Sequence, residues 1–251
     1  MTASAARASI QAFAAGNRSA ELAQTALGSL PGASGSMRFM CSGGRIFVAK
    51  GTKNQKSIIA EHVVARLGQL IEAPVGEVAL VDIPAALRVD PTVAAMGAGL
   101  AHATLFIENI TDKIGIANID VPENRARFAR LCGLYSLCGA GDPQLFYSTI
   151  SPQVVYSLDH GHFFPQGPGW SAASLAAAPP ALIDPYFAGA NLSSAELADA
   201  RNRLSTVSDQ DIADIIAGPP PDWPFTDQER AALGTYLRTR RDTLLTVLPQ
   251  A

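Results

Sequence analysis

Four side chains in the sequence have the types that moving a phosphoryl group requires: Lys50, Glu61, Asp142 and Asp159. Such a transfer needs a cation on the phosphates, a group that fixes that cation, a carboxylate for Mg²⁺ and a carboxylate near the attacking hydroxyl. Lys50 ends the strand-like run Arg45-Ile46-Phe47-Val48-Ala49-Lys50, from which its ammonium can reach into a cleft. Glu61 follows in a segment of helical period, where Ile58, Val64 and Ala65 at helical spacing put it on the border of the apolar face. A carboxylate there needs a partner. Asp142 sits in the loop Gly139-Ala140-Gly141-Asp142-Pro143-Gln144, and Asp159 follows at a strand end in Leu158-Asp159-His160-Gly161. Taken singly, each has a blander reading: an exposed strand lysine, a solvated glutamate, two turn aspartates. Taken together, a strand lysine followed by an inward helix glutamate fits an ion pair, and Asp142 and Asp159 are candidates for the remaining two carboxylates. Upstream, Gly32-Ala33-Ser34-Gly35-Ser36 can wrap phosphates with backbone N–H groups, so Gly32, Ser34, Gly35 and Ser36 are candidate nucleotide contacts; a plain loop accounts for them equally well.

The elements that must position these residues follow from period and punctuation. Residues 4 to 30 are Ala-rich with helical periodicity, broken by Pro31, Gly32 and Gly35. Met37 to Met40 and Arg45 to Lys50 read as two strands of a hairpin turning at Ser42-Gly43-Gly44. Ile58, Ile59, Val63, Val64, Leu67, Leu70 and Ile71 predict a helix opened by Asn54 and ended near Pro74. Val78 to Ile83 and Thr104 to Ile110 return to strand character, and Pro122 begins a helix that runs to Gly139. Val154 to Leu158 is the last predicted strand. Beyond it come helices over Ser194 to Leu204 and Ser208 to Ala217, then one opened by the capping box Thr226-Asp227-Gln228-Glu229. Strands early and helices late predict an α+β protein of one domain, with an N-terminal lobe of about residues 1 to 110 and a helical lobe of about 111 to 251.

Composition narrows the function. With 48% hydrophobic and 16% charged residues the chain reads as globular, and a net charge of −3 gives no footprint for nucleic acid. No run is long enough to span a bilayer and no signal-type segment opens the chain, so a cytoplasmic location is expected. Cys41, Cys132 and Cys138 match no zinc spacing and read as buried thiols. His160 and His162 alternate beside Asp159 without a third nitrogen or sulfur ligand nearby, which favours packing or orienting roles over a transition-metal site; His62 and His102 have no evident chemical partner. Gly32 to Ser36 lacks the closing glycine of a nucleophile elbow, Lys56 stands where a Walker loop needs glycine, and Gly97-Ala98-Gly99 lacks the third glycine of a dinucleotide fingerprint.

In this order the segments resemble HipA-like kinases, within the protein-kinase-like superfamily that also holds lipid kinases. Arg45 to Lys50 is similar to that family's lysine strand, and Ala60 to Ile71 with Ala73-Pro74-Val75 to its glutamate helix. Asp159-His160-Gly161-His162-Phe163-Phe164 resembles its metal-binding segment. Ile215-Ile216, Pro221-Asp222-Trp223 and Leu237-Arg238-Thr239-Arg240-Arg241 resemble its terminal helices. The resemblance covers residues 32 to 248 and is to the compact kinase core. It implies a bilobal ATP- and Mg-binding fold with Lys50 on the phosphates, Glu61 holding it, Asp142 as base and Asp159 on the metal. The expected partners are a nucleotide and a hydroxyl acceptor such as a protein Ser or Thr. One departure stands out: the family's catalytic loop carries Asn where this chain has Tyr147, a poor magnesium ligand, and Gln144 is the candidate substitute through its amide oxygen. A nucleotide-binding pseudokinase acting as an interaction module is therefore the alternative.

Overall fold

The computed structural model describes residues 1–30 and 35–250. Helix α1 (Ala3–Ala14) leads into strands β1 (Ala20–Ser29), β2 (Met37–Cys41) and β3 (Ile46–Lys50), helix α2 (Lys56–Leu70), strand β4 (Val78–Asp82), the short helix α3 (Pro91–Ala94) and strand β5 (Ala101–Leu105). The five strands close into a barrel of order β1-β2-β3-β5-β4. The β2–β3 hairpin forms as its turn chemistry predicts, with Arg38 opposite Val48 and Phe39 opposite Phe47. Phe39, Phe47, Ala49, Val81 and Ala103 fill the barrel with a small core of their own.

Then follow β6 (Ile110–Lys113), α4 (Pro122–Cys138), β7 (Leu145–Ser148), β8 (Val155–Ser157), the short α5 (Ala172–Ala176), and α6 (Ser194–Ser205), α7 (Asp209–Ala217) and α8 (Asp227–Val247). Strands β6, β7 and β8 make a separate three-stranded sheet. α4 stops where Gly139 turns left-handed at φ +72°. Ser193, Ser208 and Thr226 each close a capping box on α6, α7 and α8. The larger core joins α1 and α2 to α4, α7 and α8 through Phe13, Ile58, Leu67, Leu134, Ile212 and Leu237. α1 packs on α2 and α7.

Three local expectations are corrected. The Ala-rich stretch is helical only to Ala14; Gly16 breaks the backbone at φ +88° and residues 20–29 become β1. Alanine's helix propensity yields there because β1 is hydrogen-bonded on both edges, antiparallel to β2 and parallel to β4, which closes the barrel and leaves no open edge. The strand expected over Thr104 to Ile110 is two strands, separated by a turn in which Asn109 takes a left-handed φ of +54°. Asn54 lies in a 3₁₀ turn, and Gln55 precedes α2 without a side-chain cap. Burial from Ile58 to Leu70 holds that helix in place of a cap.

Candidate functional site

The Lys50 ammonium is buried between two carboxylates. It donates to Glu61 Oε1 and, at 2.6 Å, to Asp159 Oδ1. The second Glu61 oxygen accepts from the backbone N–H of His160 at 2.9 Å. A lysine on the barrel, a glutamate on α2 and an aspartate after β8 thus converge as the sequence order predicts.

Each element has a reason to be where it is. Lys50 sits opposite His102 at the end of β3, so the β3–β5 ladder fixes its backbone. α2 is anchored to the β8 segment beyond Pro74, since Ser157 N–H donates to Pro74 O at 2.9 Å. Asp159 reaches Lys50 from left-handed backbone at φ +61°, a conformation that Asp tolerates better than most residues. Gly161 then passes so close to α2 that a Cβ would lie 3.1 Å from Ser57 Cβ and 3.2 Å from Glu61 Oε1. The Asp-x-Gly spacing carries that requirement in the sequence. Below the segment, the buried Ser157 hydroxyl is 2.7 Å from Tyr135 OH and 2.9 Å from His160 Nε2, and the His160 ring meets Phe163 edge-on. The sequence offers His160 a packing or an orienting role; its ring packs on Phe163, and its backbone N–H, not its ring, contacts Glu61. Ser157 and Tyr135 gave no signal.

The β7–β8 hairpin brings the two aspartate loops to one end. Leu145 at the start of β7 pairs with Ser157 at the end of β8, so the loop holding Asp142 and the segment holding Asp159 lie side by side. Phe164 N–H donates to Gly139 O at 2.9 Å and ties them together. Asp142 is exposed and Gln144 half-buried. A cavity of about 570 Å³ opens beside this loop, lined by Gly139, Gly141, His162, Phe164, Tyr236 and Arg240 among others. Tyr147 points elsewhere: it is buried, its ring lies against Phe128, and its hydroxyl accepts from Ala117 N–H at 2.9 Å and donates to Gly115 O at 3.2 Å. The sequence predicts no strand between Gly139 and Val154; β7 forms there because pairing with β6 and β8 on both sides stabilises a run too short to show a period. Of the glycine-rich stretch, Gly32 and Ser34 fall outside the described residues. Gly35 is exposed with φ +59°, and Ser36 is buried, its carbonyl accepting from Leu30 N–H at 2.9 Å in the connection between β1 and β2.

The charges divide the work. Burial opposes the Lys50 ammonium, but Glu61 and Asp159 outweigh it and raise its pKa above the ordinary value. Burial likewise opposes the Glu61 carboxylate, yet Lys50 and then His160 bring its pKa below the usual range. Asp159 moves the other way, pushed up by burial and by the Glu61 charge against the pull of Lys50. One ammonium and two carboxylates leave the trio with one surplus negative charge. Asp159, whose side chain is 32% exposed against 4% for Glu61, is where a cation can meet it. A hard oxygen donor with a raised pKa fits Mg²⁺, which binds through one or two carboxylates and takes the rest of its shell from phosphate and water. Among the described residues no group of three or more His, Cys, Asp or Glu side chains could hold a metal ion by itself. The three cysteines are buried free thiols, and the rings of His62, His102 and Trp223 meet edge-on.

No protein-family model matches the sequence, and no curated protein matches it. Solved structures do. The proinflammatory kinase CtkA of Helicobacter pylori superposes with a TM-score of 0.60 at 12% identity, over 91% of this chain and 97% of that one. The Golgi casein kinase with Mn/ADP bound gives a TM-score of 0.49 at 9% identity, over 92% of this chain and 74% of that one. HipA of Shewanella oneidensis, in its complex with HipB and operator DNA, gives 0.45 at 14% identity, over 90% of this chain and 66% of that one. The chain has an α+β, protein-kinase-like fold. Among the described residues no helix is long and apolar enough to cross a membrane.

Proposed function

We propose that the chain is an ATP- and Mg-dependent phosphotransferase that moves the terminal phosphoryl group of the nucleotide to a hydroxyl, such as that of a protein Ser or Thr. The observation that carries this reading is the Lys50 ammonium buried between Glu61 and Asp159 on a protein-kinase-like fold. In the two-lobed arrangement this implies, the nucleotide lies between the barrel and the helical part. Lys50 holds its phosphates, and Glu61, itself fixed by the His160 N–H, keeps the ammonium from swinging away. Asp159 holds Mg²⁺, which supplies charge neutralisation on the phosphates. Asp142, at the same end of the β7–β8 hairpin, accepts the proton of the attacking hydroxyl, and the adjacent cavity has room for an acceptor side chain. Gln144 is the amide nearest in sequence to that base and completes the proposed oxygen donors.

Tyr147 supports a second reading. Its hydroxyl is spent on the backbone of Gly115 and Ala117, so the position that carries Asn in HipA-like kinases offers no metal ligand. A pseudokinase that binds nucleotide and serves as an interaction module would have this feature. Transfer of radiolabelled γ-phosphate to the protein itself or to a mixed protein extract separates the two. The phosphotransferase reading expects transfer that falls about 100-fold or more in Asp142→Ala. Transfer that survives the substitution removes Asp142 as base, and ATP binding without transfer selects the pseudokinase.

A further inference from the structure

The Lys50–Glu61 pair depends on where α2 sits, and one face of α2 is covered by α1. Phe13 of α1 is buried over two residues one helical turn apart: the Arg66 guanidinium carbon lies 4.4 Å from its ring centre, and the His62 ring centre 6.0 Å away. Arg66 is 1% exposed, and its Nη1 donates to Ser9 Oγ, also on α1, at 3.0 Å. His62 is the neighbour of Glu61 in sequence. α1 is in turn fastened to α7. Arg7 makes a two-pronged bond to Asp211, at 2.7 and 3.1 Å, and Arg18 just past α1 donates to Gly218 O at 2.8 Å and Ala217 O at 3.0 Å. Asp211 also accepts from Ser208 N–H at the start of α7, which makes that anchor rigid. A third tie runs from Ala3 N–H to Glu72, just past the end of α2.

From this chain of contacts we infer that α1 is a brace that sets the position of α2, and that Phe13 and Arg66 are positioning residues for the Lys50–Glu61 pair. A buried guanidinium tolerates little movement, because displacing its covering ring exposes a hydrophobic contact and leaves the charge in a poorly hydrated site. The seat of Phe13 on His62 and Arg66 therefore limits how far α2 can shift, and a packed helix moves as a unit, carrying Glu61 with it. Only the consequence for catalysis rests on the phosphotransferase reading.

The His160 amide provides a readout that needs no activity, since its N–H donates to Glu61 Oε2. NMR-detected amide exchange is measured on the full chain and on Phe13→Ala, Phe13→Leu and Arg7→Ala. The expected result is exchange about tenfold or more faster at the His160 amide and along α2 in Phe13→Ala, with α8 amides at their parent rates. Phe13→Leu, which refills the apolar seat, restores most of the protection. Arg7→Ala, whose side chain is one-third exposed, gives a smaller increase at the same amides and serves if Phe13→Ala does not fold. Mg·ATP affinity falls several-fold in parallel. Faster exchange confined to α1, or an equal increase at every amide including those of α8, overturns the inference. If the parent transfers no phosphate, the proposed function fails while the His160 exchange still decides the role of α1.

Discussion

Lys50 and Asp159, 109 residues apart in the chain, meet at 2.6 Å, and Asp159 makes that contact from left-handed backbone at φ +61°. The carboxylate is thereby turned back towards the barrel while remaining partly open to solvent. Glu61, the other partner, is enclosed. The lysine is held by an enclosed carboxylate on one side and by a partly exposed one on the other.

Removing the ammonium tests the fixed side. Lys50→Met leaves the enclosed Glu61 carboxylate without its counter-charge, an outcome that costs about 3–5 kcal/mol in buried pairs. Urea unfolding should show that loss, and adding Glu61→Gln should recover a large part of it. A single-variant cost below about 1 kcal/mol would mean that the pair is far better solvated than its burial implies.

Asp159→Asn tests the open side. Asparagine retains an oxygen that can accept from Lys50, so stability should stay within about 1 kcal/mol of the parent. Calorimetric titration with ATP should show the parent binding more tightly with Mg²⁺ than without it, and the variant losing that difference. Equal affinity in the parent under both conditions would count against Asp159 as the metal ligand.

Tyr147→Phe distinguishes a packing tyrosine from a ligand. Loss of the hydroxyl strands the Ala117 N–H and should lower stability by about 1 kcal/mol while leaving Mg·ATP affinity unchanged. A fall in affinity without a fall in stability would reverse that assignment.

Acid should weaken the fold before the carboxylates of depressed pKa protonate. Burial, with Arg66 next, pushes the His62 pKa well below the ordinary value; burial, with Lys50 next, does the same to His102, and burial lowers His160 against the pull of Glu61. Below about pH 6.5 the unfolded chain takes up protons that these rings refuse, so stability is full above that pH and declines as the pH falls. The carboxylates whose pKa values are depressed, among them Glu61 and Asp211, contribute stability that is lost only at lower pH, below the ordinary carboxylate range. The urea midpoint should therefore be lower at pH 5.5 than at pH 7.5. Identical midpoints would show that the three rings protonate freely inside the fold.

Residue types and their order determined much of this protein. Strand-type runs around a Gly-Gly turn specified the β2–β3 hairpin that ends in Lys50, helical spacing specified α2 that carries Glu61, and the Thr226 capping box specified the start of α8, because all of these are interactions between residues a few positions apart. What only the tertiary structure decided are the pairings between distant segments. Ala20–Ser29 became a strand because two other strands offered it partners, and β7 formed inside an apparent loop for the same reason. The register of Leu145 on Ser157, the His160 amide on Glu61 and the seat of Phe13 on Arg66 left no local trace, since each depends on the shape of a neighbour far away in the chain.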